Sequence, residues 1–350
     1  MASRMSREEW QAQVAAKVEA AQAVLLEQVE ALQSGEDWRR YLDLQARLHC
    51  YSPRNAMLLR AQFSLAHAEG RVPNPDPTYF AGFHTWKALG RSVEKGQKGF
   101  VVLAPVRYDR RVAIDADGVA RPLGRAEPAR EDETLASRRT LAGFKIEYAF
   151  AECQTTGAAL AEPPRPLLVE GEAPVGLGEA VLGLIEARGY QVDVVGSASA
   201  IGGANGRTDF VARTVLVRSD MDDASMVRTL IHEAGHVLLH EGPPGQFLPR
   251  PLKEVEAESV AYIVSAAHGM ATGSYSWPYV SVWAGEVGAR ALLLTQDRVS
   301  RAARSILDAS PAPHGTGGRA PGAEAALLAA GHRTGIDSGL TTTPSMGLVP

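Results

Sequence analysis

His232-Glu233-Ala234-Gly235-His236 is the stretch on which the reading of this 350-residue chain turns. It lies in an apolar-periodic run with Leu230, Ile231, Val237 and Leu238, behind Asp222 and Asp223, which can cap a helix. On a helix, residues i and i+4 stand about 40° apart around the axis, so both imidazoles project from one face. That is the pair a zinc ion takes from one helix. Glu233, turned about 100° from His232, stands beside the ion rather than on it, where it can take a proton from a polarised water. The bland alternative is a solvated pair of surface histidines, and the apolar face of the run argues against it.

Zinc commonly takes a third protein ligand and keeps one position open. The next helical run opens at Pro251 and contains Lys253-Glu254-Val255-Glu256-Ala257-Glu258. Glu254 follows His236 by 18 residues, enough for a loop and the start of an antiparallel helix, and ranks first as third ligand. Glu258, one turn on, ranks second. It otherwise suits a carboxylate that orients a zinc-binding histidine from behind. Ala257 and Ala261 are small enough for the two helices to approach closely. Glu256 is read as solvated. His240 continues the i, i+4 series about 12 Å along the axis from His232, too far to share one ion easily, and is read as a rim or helix-end histidine. Tyr262 is a candidate oxyanion donor. Metal-assisted hydrolysis of a peptide bond, with Glu233 as general base, follows from this set.

Further out, charge divides the chain. From Glu36 to Arg111, 13 Lys or Arg stand against 7 Asp or Glu; from Ala151 to Met270, 8 stand against 16. The basic part can meet a polyanion and the acidic part can hold a cation. In the basic part Tyr51, Tyr79, Phe80, Phe83 and Trp86 interleave with Arg54, Lys87, Arg91, Lys95 and Lys98, a pattern that suits single-stranded nucleic acid; packing of the aromatics into a core is the competing reading. Helices are expected over 6–34, 37–48 and from Pro53 to about Gly70, extended segments over 80–86, 99–106 and 144–150, and a hairpin excursion or insertion over 110–139. Four prolines between Thr155 and Pro174 mark a linker. Beyond it come a helix near 178–188, strands over 190–195 and 214–217 with a turn at Asn205-Gly206, and two final helices, 279–294 and 297–307. Pro311 to Pro350 reads as a disordered tail. Two cysteines, Cys50 and Cys153, are too few for a disulfide framework. No signal-like or membrane-spanning run is found, so a cytoplasmic protein without membrane contact is expected.

Two sets of residues carry a resemblance. Tyr51-Ser52-Pro53-Arg54-Asn55, Trp86 to Val93 with Lys95-Gly96, Leu103-Ala104-Pro105 and Gln154-Thr155 resemble the N-terminal single-stranded-DNA-binding domain of ArdC-like antirestriction proteins. His232-Glu233 with His236, Glu254 with Ala257, and Tyr279 with Trp283 resemble the zincin-like metallopeptidase domain of that family and of the ImmA/IrrE family. The resemblance covers roughly residues 40–308. It implies DNA binding, a mobile-element setting, His232, His236 and Glu254 as ligands and Glu233 as base. The charged stretch Arg121 to Arg139 is longer than the family pattern, and Ala151 stands where relatives often place Asp.

The expectation is therefore an α+β protein: an N-terminal α+β single-stranded-DNA-binding domain over 1–158, a linker over 159–174, a zincin-like metallopeptidase domain with an HExxH helix over 175–310, and a tail over 311–350. Its function would be that of a Zn2+ metalloendopeptidase acting on an unidentified protein substrate and coupled to single-stranded-DNA binding, with the antirestriction or regulator-cleaving role on a mobile element that the resemblance implies. The DNA-contact set is Tyr51, Arg54, Asn55, Trp86, Lys87, Arg91, Lys95 and Lys98. A non-catalytic DNA-protecting protein with a structural metal, or a hydrolase of another substrate, are the competing functions.

Overall fold

Local capping chemistry starts the second and third helices. Helix α1 spans Arg7–Glu30. Helix α2 (Gly35–Arg47) begins with a reciprocal pair: the Asp37 amide donates to Ser34 Oγ at 3.1 Å and the Ser34 amide to Asp37 Oδ2 at 3.1 Å. Helix α3 (Pro53–Ala68) has Ser52 as its cap and Pro53 at its first position, where a missing N–H costs nothing. In this computed structural model the described residues are 7–30, 34–74, 79–124, 127–160, 171–270, 280–311 and 318–330.

The chain then forms β1 (Phe80–Ala81), α4 (Phe83–Ala88), β2 (Arg91–Val93), β3 (Phe100–Ile114), β4 (Ala120–Pro122), β5 (Thr134–Ala151) and β6 (Thr155–Gly157). One antiparallel sheet has the order β1-β5-β3-β4; β2 and β6 pair separately. Helix α3 lies along β3 and serves its backbone. Asn55 accepts from the Leu103 amide at 2.9 Å and donates to the Leu103 carbonyl at 3.1 Å, and Gln62 does the same for Val101 at 2.8 and 2.9 Å. Two side-chain amides thus supply the bonds that a further strand would have made. The extended segment expected over 80–86 is only two residues long. Gly82 then starts α4, whose turn carries Thr85 and Trp86 inward.

The second half contains α5 (Leu177–Glu186), β7 (Gln191–Val195), β8 (Gly206–Asp209), β9 (Thr214–Arg218), α6 (Asp223–His240), α7 (Arg250–Ala267) and α8 (Val280–Ala309). Its sheet runs β7-β9-β8, with β7 parallel and β8 antiparallel to β9, so β8 is an edge strand. Asn205-Gly206, read as a turn, leads straight into β8. The two final helices of the sequence reading are one, α8, because Thr295, Gln296 and Asp297 bury their side chains inside it and no Gly or Pro interrupts it there.

Both halves share one hydrophobic core that includes Trp38, Tyr41 and Leu42 together with Val260, Ile263 and Val299. Polar contacts tie the same faces. Trp38 Nε1 donates to Ser259 Oγ at 3.0 Å, Tyr262 donates to Asp43 at 2.6 Å, and Arg54 pairs with Asp297 at 2.9 Å. The boundary drawn from sequence therefore does not divide the packing. Of the expected linker, 161–170 lies outside the described residues. The disordered tail is corrected over 318–330. There, α9 (Ala323–Ala329) and Ala320 bury with Trp86 and Ala81, and the Phe80 amide donates to the Gly318 carbonyl at 2.7 Å. Small apolar residues that read as low complexity fill a groove beside α4. No helix among the described residues is long and apolar enough to cross a membrane.

Candidate metal centre

The Asp222 carboxylate accepts from the Ser225 amide at 2.8 Å and so fixes the start of α6. The register that follows places Ile231, Ala234 and Val237 in the core and His232 and His236 on the open face. Helix α7 crosses close by because Gly235 faces Ala257: a Cβ on Gly235 would stand 3.1 Å from the Ala257 Cα. One turn before Ala257, Glu254 is carried to the two histidines.

The three donor atoms form a small triangle. His232 Nε2 and His236 Nε2 are 3.2 Å apart, and Glu254 Oε2 lies 3.5 Å from the first and 3.6 Å from the second. Donors on a tetrahedral zinc at roughly 2.0–2.1 Å are separated by about 3.4 Å. The triangle thus has the size of one tetrahedral face, and its two imidazoles and one carboxylate suit a first-row divalent cation. Burial disfavours a charge on His232, but hydrogen bonds to Glu254 and Glu258 outweigh it and lift its pKa to about 9. The same two histidines hold Glu254 well below the usual carboxylate range.

The backs of both imidazoles are held. His232 Nδ1 is 3.1 Å from Glu258 Oε2, and Arg228 grips the other oxygen of that carboxylate. Glu258, the second choice for ligand, thus stands behind His232 while Glu254 stands in front. His236 Nδ1 lies 3.0 Å from His240 Nδ1, and His240 Nε2 lies 3.0 Å from Glu256 Oε2, which also accepts from Arg298 at 2.9 Å. An imidazole offering Nε2 to an ion carries its proton on Nδ1, so this chain of contacts runs from His236 to His240 to Glu256 and fixes each tautomer. Two sequence readings are corrected here. Glu256 is fully buried rather than solvated, and His240 lies behind the site rather than at its rim. Their partner Arg298 comes from α8, 42 residues beyond Glu256, a distance that helical periodicity does not reveal.

Glu233 is buried beside the triangle, and Thr208 on β8 donates to its Oε2 at 2.6 Å. Gly206 on the same strand presses on it. A Cβ there would lie 2.6 Å from Glu233 Oε1 and 2.8 Å from Thr229 Cγ2. The Gly206→Ala variant should therefore displace the carboxylate, lowering any hydrolytic rate by about 100-fold while ion uptake stays unchanged; kinetics beside metal analysis check this. Sequence reasoning missed both strand residues because it took their segment for a turn. The cleft in front of the triangle measures about 600 Å³ and is walled by β8, the Ile201–Asn205 segment, α6 and the first turn of α7. Tyr262 does not belong to it. Its side chain is buried against α2, donating to Asp43, so the oxyanion role is withdrawn.

The expected DNA contacts fare differently. Tyr51 is buried and donates to the Phe80 carbonyl at 2.8 Å; Asn55 is buried on β3; Arg54 is paired with Asp297. Trp86 has no exposed surface and donates to the Phe150 carbonyl at 3.0 Å. Arg91 holds Thr155 through its Oγ1 at 2.9 Å and its carbonyl at 3.0 Å. These five are framework residues. Lys87, Lys95 and Lys98 are exposed. Truncating Trp86 to Ala should destabilise the fold by about 3–5 kcal/mol, read by denaturant unfolding. Tyr279 lies outside the described residues, as does the side chain of Trp283.

With the geometry in place, comparison with known proteins gives three findings. Residues 6–146 match the family model of the N-terminal domain of the anti-restriction factor ArdC. A Bacillus anthracis protein described as uncharacterized is 24% identical over 281 residues, covering 74% of this chain; the chain spans 45% of that relative's length. Two crystal structures of the antirestriction ArdC protein from plasmid R388 also align. The metal-free form gives a TM-score of 0.42 at 18% identity, covering 73% of this chain and 83% of that one. The Mn(II)-bound form gives 0.38 at 17%, covering 73% and 86%.

Proposed function

We propose that this chain is an ArdC-like antirestriction protein whose N-terminal part binds single-stranded DNA and whose α6–α7 centre is a zinc-dependent, zincin-like endopeptidase site of the kind found in the ImmA/IrrE family. The observation that carries the hydrolytic reading is the tetrahedral-face triangle of His232, His236 and Glu254 with Glu233 beside it. A bound divalent ion supplies Lewis acidity to a water and a carbonyl oxygen in the cleft. The protein's own part is positional. Thr208 holds Glu233 Oε2, leaving Oε1 to accept a proton from water and return it to a leaving amine. The edge strand β8 borders the cleft and offers backbone groups along which an extended peptide can lie.

Zinc-loaded protein incubated with a peptide library tests this reading. Cleavage that a chelator abolishes supports it. A second reading, a DNA-protecting protein with a structural metal, is favoured by the family match falling on residues 6–146, which contain none of the centre's residues. Protection of DNA by a zinc-loaded protein that cleaves no peptide selects that second reading.

A further inference from the structure

Strands β3 and β5 run together far beyond the core. At Val106/Arg107 their register shifts, with Val106 opposite Gly143 and Arg107 opposite Leu141, so Ala142 bulges out. Before the bulge β3 lies along α3; past it the two strands form an arm. Val112, Ala113 and Leu123 are buried near the tip, and Arg121 clamps both oxygens of Glu133, at 2.7 and 2.8 Å, and Glu127 at 2.6 Å.

Between bulge and tip the composition is one-sided. Residues 107–111 and 137–141 contain five arginines and a single acid, Asp109. Arg110 sits directly opposite Arg138, a like-charge cross-strand pair that weakens a ribbon unless an anion lies over it. Arg110 and Arg138 are exposed and make no ion pair among the described residues, while Arg139 lies on the other face, opposite Asp109. The tip carboxylates Glu127 and Glu133 are already held by Arg121. Tyr108, 47% exposed, shares a face with Arg110 and Arg138. Cations beside an open aromatic ring fit a strand whose bases are free to stack; a duplex offers no such face along its length.

From this we infer that the arm is a phosphate-binding ribbon for single-stranded DNA, with Tyr108 as a base platform. The inference rests on the DNA-binding part of the proposed function and gives it a location, in place of the framework residues Tyr51, Arg54, Asn55, Trp86 and Arg91.

The test is fluorescence anisotropy of an oligothymidine with the full chain over a salt series. Each phosphate contact contributes about 0.7 to the slope of log affinity against log salt. The Arg110→Ser/Arg138→Ser variant should lose about 1.4 from that slope, whereas the corresponding double Lys variant keeps it. Tyr108→Ala should lower affinity about tenfold at fixed salt, and Tyr108→Phe should not. A wild-type chain that binds, with an unchanged slope in the folded double Ser variant, overturns the arm and leaves DNA binding standing. A wild-type chain that does not bind overturns both. Equal affinity for a duplex of the same length overturns the single-strand assignment.

Discussion

Glu233→Gln should cut peptide hydrolysis by about 10²–10⁴-fold and leave the ion in place. The amide matches the carboxylate in shape and still accepts from Thr208, so the wall made by β8 keeps its form. What is lost is a proton acceptor at Oε1, the atom facing Gly206. None of the three donor atoms belongs to this side chain, so metal content should equal that of the wild-type chain. Turnover by the loaded variant at the wild-type rate would remove Glu233 as base.

The second large effect separates the two candidate ligands. Glu254→Ala removes one corner of the triangle, whereas Glu258→Ala removes a support behind His232 and one partner of Arg228. Losing an outer support costs about 10–100-fold in metal affinity, so Glu258→Ala should fall in that range and Glu254→Ala beyond it. Competition with a fluorescent chelator measures both. The reverse order would exchange the roles of the two carboxylates.

The contrast between these residues also shows what was legible in sequence. The pairing of His232 with His236, the helix cap at Asp222 and the small residue Ala257 are local facts, set by 3.6-residue periodicity and side-chain size. They point to Glu254, which the structure sets beside two histidines on another helix. Glu256 was misread because helical spacing turns it away from Glu254, and a charge facing away from a site reads as solvated. In the fold it meets His240 and Arg298, the latter brought in by tertiary packing of α8. Thr208 and Gly206 were invisible for a similar reason, since an edge strand of four residues carries too little pattern to register. In the N-terminal part, aromatic and basic residues alternate in sequence, but the fold sends Tyr51 and Trp86 inward and spends Arg54 and Arg91 on framework contacts. Composition cannot distinguish a stacking platform from a core. The long β3–β5 pairing, with its cross-strand arginines, emerges only from register.

The central claim is that one divalent ion is gripped by His232, His236 and Glu254. Chelator-stripped protein dialysed against a slight excess of Zn(II), then analysed for bound metal, tests it most directly. The account predicts one zinc per chain, absent from the His232→Ala/His236→Ala variant. A wild-type chain that takes up no zinc, or a double variant that keeps it, would contradict the account.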